Sequence, residues 1–144
     1  MPDDLRSRAL RLLSRRDYGR RELGQKLAPY AAEPDEVEAL LEDLEARQLL
    51  SDLRFASQRV AARAPRFGNQ RLAEDLRCWG VDEDCVRLAL AQSTDEEERC
   101  RKVWQKKFGV LPEGVEDYAR QVRFLRYRGF SSEVVRRVLR GAPE

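Results

Sequence analysis

Five side chains late in the chain combine positive charge with aromatic rings: Arg120, Arg123, Phe124, Tyr127 and Arg128. At about 100° per residue they fall on one side of a helix, opposite a stripe of Tyr118, Ala119, Val122, Leu125 and Gly129. Guanidinium groups interleaved with rings can grip phosphates and stack on bases or other rings. Arg126 belongs to the same run. A middle helix in a bundle must bury two faces, which assigns Phe124 to the core and leaves the arginines outside; Tyr127 suits either side.

A second basic line runs through Arg59, Arg63, Arg66, Arg71 and Arg77. Arg59 and Arg63 are one helical turn apart. Phe67-Gly68-Asn69-Gln70-Arg71 leads into a helix start, where free backbone N–H groups also attract anions. A third group, Arg101, Lys102, Lys106 and Lys107, flanks Trp104, whose size and spacing suit a core anchor. Lined up on one concave side, the three groups would form a long basic groove.

The missing residue types narrow the chemistry. The chain has no histidine, which removes the usual general base at neutral pH and the commonest zinc ligand. Cys78, Cys85 and Cys100 form no Cys-x-x-Cys pair, and Cys78 and Cys85 are expected to be core thiols. Glycine-rich phosphate loops are absent. Binding without catalysis, cofactor or metal is the expectation.

Charge is unevenly spread although the net value is only +2. Residues 99–140 hold twelve Lys or Arg against four acids, whereas residues 33–45 hold seven acids and no base. A basic end beside an acidic patch fits an anionic partner docked in one orientation; a solvated helical surface is the plainer alternative. The odd cysteine count and the lack of a secretory leader fit a reducing cytoplasm. No apolar run approaches the roughly 20 residues of a membrane span.

These side chains must be positioned by helices. Charged residues make up 38% of the chain, above the roughly 25% usual in soluble proteins, and Leu, Ala, Arg and Glu dominate. Isoleucine is absent, so little material exists for a sheet. A repeat of 49 residues aligns Leu27, Leu76 and Leu125, then Val37, Val86 and Val135, then Leu41, Leu90 and Leu139. Ala31, Gly80 and Gly129 fall at the turn between them. Each copy reads as helix, turn, helix, with Asp82 and Ser131 or Ser132 as caps and Pro34 in a first helical turn. A further helix precedes each pair. The expected fold is all-α: three tandem three-helix repeats in an elongated, curved array. The repeats are residues 1–50, 51–93 and 94–144.

The order of certain residues is similar to the RecX family. Ala9, Leu10, Leu13, Arg16, Glu22, Leu23, Lys26 and Leu27 resemble that family's opening. Leu50, Asp52, Phe55 and Ala56 follow at the family's distance, then Arg63, Gly68, Arg71, Leu72, Leu76 and Gly80. Ser51 departs from the usual aspartate, and Ala31 from the usual glycine. The resemblance implies a three-helix repeat fold and a regulator that binds the recombinase RecA and the RecA–DNA filament. It implies inhibition of ATPase, strand-exchange and co-protease activities in recombination, DNA repair and the SOS response. A monomer with weak direct DNA binding completes the expectation. The same helices also fit a DNA-binding module, marked by steep salt dependence, or a scaffold for another protein.

Overall fold

The computed structural model describes residues 4–140. Among them are nine α-helices and no strand: α1 Leu5–Leu13, α2 Arg20–Leu27, α3 Pro34–Ala46, α4 Asp52–Arg63, α5 Asn69–Cys78, α6 Glu83–Ala91, α7 Glu96–Lys107, α8 Gly114–Tyr127 and α9 Ser132–Val138. They form three tandem triplets.

Local chemistry sets the helix starts. The side chains of Asp4, Ser51, Asp82, Asp95 and Ser131 each accept a hydrogen bond from the backbone N–H three residues on. These residues cap the leading helix of every triplet and the last helix of the second and third. α7 carries Glu96, Glu97 and Glu98 in its first turn and Lys106 and Lys107 in its last, the order that its dipole favours.

The middle helices α2 and α5 begin differently, after Gly19 and Gly68, and neither has a side-chain cap of its own. The following triplet supplies one. The Arg20 N–H donates to Asp52 Oδ1 at 2.8 Å, and the equivalent Asn69 N–H donates to Glu96 Oε2 at 2.7 Å. Both acceptors lie in the first turn of the next leading helix, so a helix-end requirement becomes a joint between triplets.

The 49-residue repeat is a packing repeat. Leu27, Leu76 and Leu125 are fully buried, and Val37, Val86 and Val135 are buried beside them. Each triplet closes its own core: Leu23, Leu40 and Leu44 with their neighbours in the first, Phe55, Leu72 and Ala89 in the second, Trp104, Phe130 and Val138 in the third. Gly80 and Gly129 take positive φ, +76° and +96°, at equivalent turns. Positive φ is costly for alanine, and Ala31 takes a φ of −96° while the first copy turns through a 3₁₀ segment at Ala28–Tyr30 instead.

The two joints differ in kind. Between the first and second triplets the hydrogen bonds use side chains, such as Arg21 Nη1 to the Cys78 carbonyl at 2.8 Å. Between the second and third, backbone meets backbone. The Gly68 N–H donates to the Arg128 carbonyl at 2.8 Å, and the Gln70 N–H to the Gly129 carbonyl at 3.1 Å. Gly68 lies so close to the Gly129 peptide that a Cβ there would collide with it.

Three sequence expectations need correction. Cys78 is exposed at the end of α5 rather than in the core, and Cys85 is half-buried. Phe124 is only partly buried: it meets Phe108 edge to face with centroids 5.5 Å apart and turns the rest of its ring to a surface cleft. The start of α5 offers no anion site, because the N–H groups of Gly68, Asn69 and Gln70 all have internal acceptors.

Candidate functional site

The joint between the second and third triplets is organised by Arg99, on α7. Its side chain is buried, at 4% exposure, and has no carboxylate in ion-pair contact among the described residues. Carbonyls take the role instead. Nε donates to the Thr94 carbonyl at 3.1 Å, and Nη1 to those of Phe67 and Ala64 at 2.6 and 3.3 Å. Nη2 donates to Asn69 Oδ1. Burial lowers its pKa from the ordinary arginine value, while Glu96 and Asp95 oppose that shift. Arg99 thereby pins residues 64–69 against α7.

The pinned loop presents Phe67, around which four guanidinium groups gather. Their carbons lie 4.7 Å (Arg63), 5.6 Å (Arg66), 5.1 Å (Arg71) and 5.7 Å (Arg128) from the ring centroid. Ring quadrupole attraction offsets part of the repulsion among these cations. The Nε of Arg63 is buried without a hydrogen-bond partner among the described residues.

Beside this cluster opens a cleft of about 700 Å³. Pro65, Arg66, Thr94, Arg99, Lys102, Val103, Lys106, Lys107, Phe124 and Arg128 line it, so every charged side chain in its wall is cationic. Lys107 Nζ and the Arg128 guanidinium stand 5.2 and 5.0 Å from the Phe124 centroid. Arg128 is also tied to the Arg66 carbonyl at 3.2 Å. Trp104, as expected, is a core anchor; its indole N–H donates to the buried Gln121 Oε1 at 2.8 Å, and Gln121 holds the Val110 carbonyl in turn. This network fixes α7 against α8 and so sets the cleft's width.

The thirteen basic residues singled out from sequence fall into distinct environments. Arg59 forms a two-point ion pair with Asp75, which Arg63 approaches at 3.9 Å. Arg77 pairs with Glu83, Arg101 with Glu97 and Arg120 with Asp117. Arg71 and Arg126 clamp the α8–α9 turn, donating to the Tyr127 and Phe130 carbonyls at 2.8 and 2.9 Å. Arg123 is exposed on α8. The cleft gathers the remaining five: Arg66, Lys102, Lys106, Lys107 and Arg128. No carboxylate among the described residues is in ion-pair contact with any of these five. Tyr127, left open by the sequence, is 74% exposed, with Arg71 over its ring.

Sequence reasoning passed over two residues that build this site. Arg99 sits on the buried stripe of α7 with Cys100 and Val103, and a charge on an apolar stripe was the available signal. Phe67 lies in a loop, where no periodicity marks it. Among the described residues, no group of His, Cys, Asp or Glu is placed to hold a metal ion, and no helix is long and apolar enough to cross a membrane.

Two family models match the chain: the first three-helix domain of RecX over residues 6–44 and the third three-helix domain of RecX over residues 95–139. Regulatory protein RecX of Chromobacterium violaceum is 46% identical over 140 residues, covering 97% of this chain and 91% of that protein. The chain belongs to the RecX family. Regulatory protein RecX of Leptothrix cholodnii is 47% identical over 137 residues, covering 94% of this chain and 87% of its own length. The crystal structure of RecX from Lactobacillus salivarius shares the fold, with a TM-score of 0.80 at 19% identity over 94% of this chain and 92% of that one. In this RecX-family chain the cleft therefore lies between the second helical triplet and the matched third domain.

Proposed function

We propose that this chain is a non-catalytic, monomeric, cytoplasmic regulator that binds RecA and the RecA nucleoprotein filament. It inhibits the recombinase, ATPase and co-protease activities and uses no cofactor. Its units are the repeats 1–50, 51–93 and 94–144. One observation carries this reading: a RecX-family chain presents five cations unopposed by carboxylate in a single cleft, beside a joint held by the Arg99 side chain and by backbone hydrogen bonds. Such a face attracts a polyanionic assembly without performing chemistry. The acidic α3 sits in the first triplet, away from the cleft in sequence and in packing; its Glu38 and Glu45 are ion-paired with Arg20, and its Asp43 with Arg6 and Arg47.

The test is co-sedimentation with RecA filaments assembled on single-stranded DNA with a slowly hydrolysed ATP analogue. The chain is expected to pellet with filaments at concentrations at least tenfold below those needed to bind the same DNA alone. Equal partition onto filament and bare DNA would replace this reading with that of a plain DNA-binding module.

A further inference from the structure

We propose that the cleft between the second and third triplets is a seat for the phosphodiester backbone of single-stranded nucleic acid. The inference deepens the proposed filament reading, and rests on it only for the setting in which the strand is met.

The wall chemistry selects phosphate. Lys102 and Lys106 are one turn apart on α7, Lys107 follows, and Arg66 and Arg128 face them from the α4–α5 loop and the end of α8. Lysine is depleted at protein–protein interfaces, whereas lysine and arginine dominate contacts to nucleic-acid backbones. An interface for an acidic protein segment would be expected to cluster several aromatic or aliphatic anchors, and here three such side chains, Pro65, Val103 and Phe124, stand among six cations. The Phe124 ring holds Lys107 and Arg128 above it, so two of the cations are already placed.

The shape selects a single strand. The cations line a recess rather than a protruding helix or ribbon, the elements that enter the grooves of a duplex. A volume of about 700 Å³ is that of a ligand pocket, enough for one or two nucleotides and too small for a duplex. Single strands are held by basic grooves that track the backbone, with aromatic side chains nearby. The backbone hydrogen bonds across the joint keep the opposing walls at fixed separation, so little ordering remains for the strand to impose.

Fluorescence anisotropy of a labelled twelve-nucleotide oligo-dT, titrated with the whole chain over a salt series, tests the proposal. Lys102→Gln with Lys106→Gln is expected to weaken binding about tenfold and to flatten the log–log salt slope by roughly 1.4, at about 0.7 per phosphate contact on a single strand. Both lysines are exposed, so the fold is retained. Arg101→Gln with Arg120→Gln, which removes equal charge from residues already paired to acids, is expected to change affinity less than twofold. Unlabelled oligo-dT should displace the probe more effectively than a duplex of the same length, a polyglutamate peptide or pyrophosphate. An unchanged affinity in the lysine variant overturns the proposal. So does equal or better competition by the duplex, which points to groove or surface binding, by the peptide, which points to an acidic protein partner, or by pyrophosphate, which points to a small free anion. Sedimentation of the unmodified chain with RecA filaments separates the two readings: loss of filament binding with oligo-dT binding intact removes the RecA reading and leaves the cleft assignment standing.

Discussion

Gly129 lies against Arg71 with a φ of +96°, and a Cβ on the glycine would stand 2.7 Å from the Arg71 backbone nitrogen. The contact joins the third triplet's turn to the first turn of α5, the side of the joint that also carries Arg66 and Phe67. Gly129→Ala is expected to cost more than 2 kcal/mol, because it adds a steric clash with backbone to a left-handed conformation. Gly114, at φ +82° with open space around it, provides the control. Gly114→Ala should cost only about 1 kcal/mol, the conformational part alone. Urea unfolding of the two variants measures the difference; equal losses would mean that the Arg71 contact does not constrain the joint.

Arg99 holds the α4–α5 loop by the geometry of its fork. Arg99→Met keeps the buried stem but leaves the Phe67 and Ala64 carbonyls and Asn69 without their donor. Hydrogen bonds to a charged donor contribute about 1.5–3 kcal/mol each, so a loss on the order of 3 kcal/mol is expected after relaxation. Arg99→Lys should rescue little of it, since one ammonium cannot reach acceptors on both sides of the planar fork. Full stability in the lysine variant would show that charge, not geometry, holds the loop.

Asp52 gives a pH signature. Burial raises its carboxyl above the ordinary aspartate value, and the hydrogen bond from the Arg20 N–H opposes the shift without cancelling it. Between the ordinary and the raised value the folded chain therefore holds more protons than the unfolded one. The contribution of this group is favourable below that window and is lost as pH rises through it. Asp52→Asn retains an oxygen acceptor for the Arg20 N–H and removes the titration. The variant is expected to be at least as stable as the parent at neutral pH, with a flatter stability profile across the window. A steeper fall with rising pH in the variant would contradict the assignment.

The three thiols should separate cleanly. Burial pushes Cys85 up to about 11 and Cys100 to about 12, so both stay protonated near neutral pH, and Cys100 is also fully enclosed. Cys78 is exposed. Ellman's reagent is expected to titrate one thiol per native chain at pH 8 and all three after denaturation. Rapid reaction at Cys100 in the native chain would mean that the third core opens readily.

Much of the fold was legible because each level of the sequence agreed with the next. The 49-residue spacing of Leu27, Leu76 and Leu125 marks the deepest core positions, and Ser51, Asp82 and Ser131 announce their helices by local chemistry alone. The site was legible only in part. The Arg101 pairing with Glu97 follows from helical spacing, but Arg59 meets Asp75 from another helix, so its neutralisation is a tertiary fact. Cys78 was expected in the core because free cysteines are commonly buried, yet its place at the end of α5 turns it to solvent. Arg126 looked free and is engaged at the Phe130 carbonyl. A charge reversal at Arg123 with Arg126 thus mixes binding with folding, and the cleft lysines are the better probe.

The most direct measurement is the ATPase rate of the cognate RecA on single-stranded DNA with this chain titrated in. The account predicts inhibition at chain concentrations well below that of RecA, and a right-shifted curve for the Lys102→Gln, Lys106→Gln variant. An ATPase rate unchanged at stoichiometric chain would contradict the claim that this RecX-family protein restrains the filament.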